Sequence, residues 1–208
     1  MVLILQSLVI LVLEVHMKQI FVMFLFICLS FFDAYVYAKN IGEELFNSVI
    51  RLHIIADDNS DTAQEIKLKV RDAVLKKIKS EELVSYEAAC EYVEKHKQEL
   101  LDCVYKVLND ANVEYNVSIS FEDADFPTKF YDELTFPKGR YRALRILLGD
   151  AEGENWWCVM YPALCFSNEV CESTETTRKL KNEISKESFA IVTGEAKFKF
   201  KILEFFSN

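Results

Sequence analysis

Two adjacent tryptophans, Trp156 and Trp157, constrain the fold of this chain more than any other feature. They come out of an acidic, glycine-bearing turn, Gly149-Asp150-Ala151-Glu152-Gly153-Glu154-Asn155, and lead into Cys158. Neighbouring residues on a strand point to opposite faces, so one indole enters a core while the other covers something else. An indole removes roughly 200 Å² from water, about 5 kcal/mol at 25 cal/mol per Å² as an upper bound. A sheet that carries this pair is therefore closed by a second packed layer or by a partner.

The strands that flank the pair are legible by alternation. Leu144, Ile146 and Leu148 share one face of a strand over 143–148. Over Val49 to Ala56, Ile50, Leu52, Ile54 and Ala56 share one face, and Val49, Arg51, His53 and Ile55 the other. Val113, Tyr115, Val117, Ile119 and Phe121 alternate with polar residues, which predicts one buried and one wet face. Pro127, Pro137 and Gly139 bracket a weaker, edge segment from Lys129 to Phe136.

Between the first two strands the period changes to that of helices. Asp57 to Asp61 is a polar loop, and Asp61 or Thr62 is the expected N-cap of a helix to about Lys79. Its inner stripe is Ile66, Val70, Ala73, Val74, Lys77 and Ile78. A second helix is expected from about Glu82 to Asp110, with Tyr86, Cys90, Val93, Lys97, Leu100, Val104 and Val107 on its packed face. The pattern predicts an α+β domain in which a two-helix layer packs on one face of a mostly antiparallel sheet. The stretch from Ser167 to Ser188 reads as a charged loop or a loosely held helix. Phe198 to Phe206 reads as a last strand or helix that docks back on the core.

Residues 1–38 read as a targeting segment. From Met17 there is a short basic start with Lys18, an apolar core from Ile20 to Phe32, and Val36-Tyr37-Ala38 before a cut after Ala38. In the simplest account Met17 is the true start, and residues 39–208 form one exported domain. An uncleaved membrane anchor is the rival account, although the apolar core falls short of the roughly 20 residues a spanning helix needs. The formal net charge of −9 argues against nucleic acid as a partner.

Two blocks carry a family resemblance. One is Ile50-Arg51-Leu52-His53-Ile54-Ile55-Ala56 with Leu68-Lys69-Val70-Arg71-Asp72-Ala73-Val74; the other is Asn155-Trp156-Trp157-Cys158-Val159 with Pro162 and Leu164-Cys165-Phe166. The second block is preceded by Gly139, Tyr141, Ala143-Leu144-Arg145 and Gly149. Together they resemble the stage II sporulation protein R family. That resemblance implies an extracytoplasmic signalling protein of endospore-forming bacteria, made in the forespore and secreted into the intermembrane space. There it would switch on a membrane-embedded aspartic protease of the stage II sporulation protein GA type, which trims a mother-cell sigma-factor precursor. It implies no enzyme activity and no cofactor, and contact with a membrane only through the partner or an uncleaved leader. An exported hydrolase and an envelope-binding structural protein are the readings from other classes.

The same blocks hold the candidate site residues. Export makes disulfides possible, and the resemblance covers Cys158 and Cys165, whose pairing requires a chain reversal at Tyr161-Pro162. Two buried thiols, or Cys171 as the partner, are the alternatives. Cys90 and Cys103 lie about 20 Å apart on one expected helix and cannot join. No CxxC occurs, and His16, His53 and His96 lack ligand spacing, so no metal site is expected. Asp150, Glu152 and Glu154 read as a solvated turn, because Asn155 and Tyr161 stand where a calcium loop needs glycine and glutamate. Ser48, His53 and Asp57 would not converge as a triad from one strand. With the apolar alternations facing the helices, Arg51, His53, Asn116, Ser118, Tyr141 and Arg145 face away, joined by one of Trp156 and Trp157. Arginine and aromatic residues on a polar surface compose a protein-binding hot spot. Charge reversal at Arg51 and Arg145 is then expected to abolish partner activation and leave the melting temperature near wild type.

Overall fold

The computed structural model describes residues 2–79, 81, 83–131, 134–162 and 173–195. The chain forms two compact units: an N-terminal helical unit up to Ile41, and a second from Gly42 to Lys197. Helix α1 (Val2–Phe46) runs through Ala38 without a break. Its large apolar side chains are exposed at successive positions such as Ile20, Phe21, Val22, Met23 and Phe24. A helix apolar on all sides has no aqueous face, and Leu13–Phe46 is long and apolar enough to cross a membrane.

The second unit is built on four strands: β1 (Ile50–Ile55), β2 (Val117–Phe126), β5 (Gly139–Leu148) and β6 (Asn155–Tyr161). Their order is β2-β5-β1-β6. β1 runs parallel to β5, with Ile54 opposite Ile146, and antiparallel to β6, with His53 opposite Trp157. β2 pairs with β5 antiparallel, Ser120 opposite Arg145. A separate hairpin, β3 (Lys129–Tyr131) and β4 (Leu134–Phe136), accounts for the segment expected at an edge. The mixed α+β architecture with a mostly antiparallel sheet is the one the alternation predicts.

One face carries α2 (Asp61–Lys79), α3 (Tyr86–Lys95) and α4 (Lys97–Asp110). Leu52, Ile54, Val70, Val93, Leu144 and Ile146 are among the fully buried residues between these helices and the sheet. The expected second helix is thus two, with the break at His96, whose backbone leaves helical geometry at φ −105° and ψ 19°. The His96 ring stacks on Tyr92 at 4.3 Å and its Nδ1 faces the Tyr92 carbonyl at 2.9 Å, which holds the junction. Ser85 caps α3 by accepting from the Ala88 amide at 3.1 Å. At α2 the cap is Ser60, whose hydroxyl accepts from the Ala63 amide, one residue before the positions the pattern favours.

Part of the other face is covered as well, by a layer that the expected two-helix arrangement did not include. Leu45, Val49, Phe126, Phe136, Tyr141 and Val159 are buried there together with Leu180, Ile184 and Val192. Leu180 comes from α5 (Ser173–Glu183), Val192 from α6 (Lys186–Val192) and Ile184 from the bend between them, so the charged stretch is mostly helical where described and anchored by buried side chains. The α6 cap is tied to the end of α1, where Glu44 accepts from the Ser185 amide at 2.7 Å. Phe198 to Phe206, expected to cover this face, lies outside the described residues.

The end of α1 seats on the start of β5. Phe46 packs edge-on against Tyr141 at 4.7 Å, and a Cβ on Gly139 would come within 2.2 Å of the Phe46 ring. Gly139→Ala is therefore expected to cost about 1–3 kcal/mol by overpacking, and Phe46→Leu in the same chain to recover part of it. Urea unfolding followed by circular dichroism tests this, and strictly additive effects of the two changes would refute it.

Candidate functional site

Arg51 lies in the inner strand β1 and points away from the helices. It is fully buried. Its Nε donates to the Cys158 carbonyl at 3.0 Å and its Nη2 to the Tyr131 hydroxyl at 3.0 Å, while Nη1 has no acceptor among the described residues. The rings of Phe126, Tyr141, Phe136 and Tyr131 surround the guanidinium at 4.6, 5.0, 5.4 and 5.8 Å. Removal from water lowers the Arg51 pKa, and the two tyrosines oppose that shift. The same burial raises Tyr131 and carries Tyr141 up to about 12. Desolvating a charge costs several kcal/mol, and each ring returns about 0.5–2 kcal/mol, so four rings stand in for a carboxylate. Tyr131 also donates to the Trp157 carbonyl at 3.1 Å, tying the hairpin to β6.

Arg51 and Tyr141 thus belong to the second core, not to an exposed surface, because the hairpin and the C-terminal helices cover this half of the sheet. The other half of the same face stays partly open. Strand register sets two complete rows there: Ser120, Arg145, His53 and Trp157, then Ser118, Leu147, Ile55 and Asn155. In these rows only His53 is buried; Arg145, Leu147, Ile55 and Trp157 are half-buried, and Ser118 and Asn155 exposed. Asn116, expected on this face, precedes β2 and spends its carbonyl on the Gly149 amide at 2.8 Å.

His53 is held on several sides. Its ring stacks on Trp157 with centroids 3.6 Å apart and meets Phe126 edge-on at 6.0 Å. Its Nε2 faces Asn155 Oδ1 at 2.6 Å. Burial pulls its pKa down to about 4; the bond to Asn155 acts against that, and the neighbouring Arg145 adds to it. The imidazole is therefore neutral near pH 7. Arg145 donates from Nη1 to Glu122 at 2.8 Å, and its buried Nε has no acceptor among the described residues.

Trp156 faces the helices. Arg71 lies 4.3 Å over its ring and pairs with Asp72 at 2.7 Å, while Lys67 donates to the Glu154 carbonyl at 3.0 Å. Both cations are nearly fully buried, which the helical stripe did not announce, since their long stems hide under charged heads. The two indoles thus face opposite layers, as adjacent strand positions require.

The turn before them is fixed by β1's own loop. Gly149 has φ +59°, and Asp57 Oδ1 accepts from the Asp150 amide at 2.7 Å. A Cβ on Gly149 would lie 1.9 Å from that oxygen. Glu154 donates its amide to Asn59 at 2.8 Å. Among the described residues no group of three or more His, Cys, Asp or Glu is arranged to hold a metal. Ser48 donates to the Glu44 carbonyl at 2.7 Å, away from His53, so Ser48, His53 and Asp57 each serve a different partner. Cys158 is disulfide-bonded; Cys165 and Cys171 lie outside the described residues, and Cys90 and Cys103 are free thiols.

Two predictions follow from this packing. Arg51→Glu is expected to abolish cooperative folding, because an anion would then face the Cys158 carbonyl and four ring faces. That reverses the expectation of an unchanged melting temperature, and thermal unfolding by circular dichroism decides it. For His53, the unfolded chain takes up a proton near pH 6.5 and the folded chain only near 4. Above 6.5 the group contributes nothing; between 6.5 and 4 stability falls as pH falls, by on the order of 3 kcal/mol; below 4 no more is lost. His53→Gln should flatten that slope in urea titrations across the window, and an unchanged slope would rule His53 out as its source.

A family model described as stage II sporulation protein R matches residues 46–171, from the last residue of α1 past the end of β6. Stage II sporulation protein R of Bacillus subtilis (strain 168) is 35% identical over 122 residues, which cover 58% of this chain and 54% of that relative. The match thus spans about half of the relative's length. No solved structure matches. The matched region contains the whole sheet, the Arg51 box and both rows, and takes in more than half of the chain. The chain belongs to the stage II sporulation protein R family, a family of sporulation proteins.

Proposed function

We propose that this protein is a non-enzymatic signal of endospore formation. It is exported from the forespore into the intermembrane space, where a membrane-embedded aspartic protease of the stage II sporulation protein GA type recognises it. The protease then trims the precursor of the mother-cell sigma factor. Membership of the family supports the sporulation role. The observation that carries the reading further is that both sequence blocks of the family resemblance meet in one place. The block around His53 and the block around Trp157 are hydrogen-bonded neighbours, β1 and β6, and the Arg145 segment lies on the other side of β1. These residues build a rigid half-open face, which suits being recognised.

The apolar helix α1 supports export or anchorage. A cut after Ala38 leaves Leu45 and Phe46 in place, and both pack in the second core. Mass spectrometry of the exported product is expected to find Lys39 at its N-terminus; an intact leader would favour the anchored form instead. The activity itself is tested by making the full chain together with the protease and its sigma-factor precursor in a non-sporulating host. Processing should require all three. Processing without this chain, or none with it, would overturn the reading.

A further inference from the structure

The half-open face has the anatomy of an interface centre. Ile55, Leu147 and Trp157 are half-buried neighbours, bordered by Ser118, Ser120 and Asn155. An apolar centre with a polar border is how protein contacts are built. Two rows across four strands are far smaller than the roughly 800 Å² each partner contributes to a standard interface. They have the dimensions of its energetic centre, where aromatic and arginine side chains concentrate.

Charge selects what sits there. The chain carries a formal charge of −9, so a negatively charged partner is repelled by most of its surface. These rows are an exception. Arg145 is their one cation: its side chain is half-buried, Nη1 donates to Glu122, and its Nε is buried and has no acceptor among the described residues, so a partner would meet the guanidinium end. Past Trp157, Lys129 brings a second cation, an ammonium, to 5.9 Å from the indole. The floor is stiff, since every row residue lies on a hydrogen-bonded strand and His53 is clamped between Trp157 and Phe126. A pre-ordered surface loses little entropy on binding.

We propose that these two rows are the docking surface for the protease, which presents to them an apolar segment bearing a carboxylate that takes Arg145. This rests on the function proposed above and assigns it a surface. Arg51 and Tyr141, in the covered half of the same face, support the surface from the side and do not touch the partner.

The test uses the full chain in the same three-component host. Arg145→Gln removes the cation without adding repulsion towards Glu122. Ser118→Arg places bulk on the open rows from an exposed position and leaves the Arg145 pair alone. Each is expected to lower the amount of processed precursor about tenfold or more, the loss of about 1.4 kcal/mol of recognition. Lys106→Gln, on exposed α4, should stay within about twofold of wild type. Circular dichroism melts identify a variant that fails to fold, and Ser118→Arg decides the matter if Arg145→Gln does so. Processing by both folded variants at the wild-type level overturns the docking surface while the signalling role stands. No processing by wild type overturns both. A wild-type dimer in light scattering that Ser118→Arg converts to a monomer would assign the rows to a second copy of this chain and overturn the proposal.

Discussion

A single guanidinium organises the second half of this fold. Arg51 sits inside the sheet on β1, and no carboxylate meets it among the described residues. The chain supplies rings instead, from the end of β2, from both strands of the hairpin and from β5. A lone buried ion is tolerated only when its surroundings are over-determined, so each element must arrive in one position. The carbonyl of Cys158 is under Nε in one register only. The β1–β6 ladder is irregular at this point, between Ile50 and Arg51, and Arg51 gives that carbonyl its donor. A slip of one residue would turn Arg51 towards the helices and break every contact in the box.

The turns at the far end of β1 and β5 impose the complementary restraint. Asp57 closes on Gly149 and Asp150, and Asn59 on Glu154, so β6 leaves the turn at a set height. That height puts Trp157 opposite His53 and Trp156 under Arg71. The acidic residues in these loops act through backbone bonds, a local role typical of Asp and Asn in turns.

Much of the sheet was legible. The alternation in 50–55, 117–121 and 144–148 assigns inner and outer faces correctly, because strand periodicity reports which face is dry. The assignment of the outer face to solvent was only half legible. Its covering comes from residues far away in sequence: Phe136 beyond a proline, and Leu180, Ile184 and Val192 in two short helices and the bend between them. A sparse stripe of three buried side chains gives too weak a period to read. Arg51 misled for a related reason, since charged residues are rarely fully buried and nothing local announces an aromatic box. Lys67 and Arg71 hid in a helix whose other charges are exposed or half-buried. The row of Ser120, Arg145, His53 and Trp157 needed the strand order, which alternation does not contain.

The two indoles, adjacent in sequence, end in unlike surroundings. Trp156 lies beneath a guanidinium on the helical side; Trp157 lies flat against a neutral imidazole on the other. Protonated imidazole quenches indole emission far more than its neutral form does, so the fluorescence of Trp157 registers the charge on its neighbour. Trp156 lies on the other side of the sheet, against Arg71, so a change in the total indole emission between pH 6.5 and 4 would report on the imidazole side without any added label.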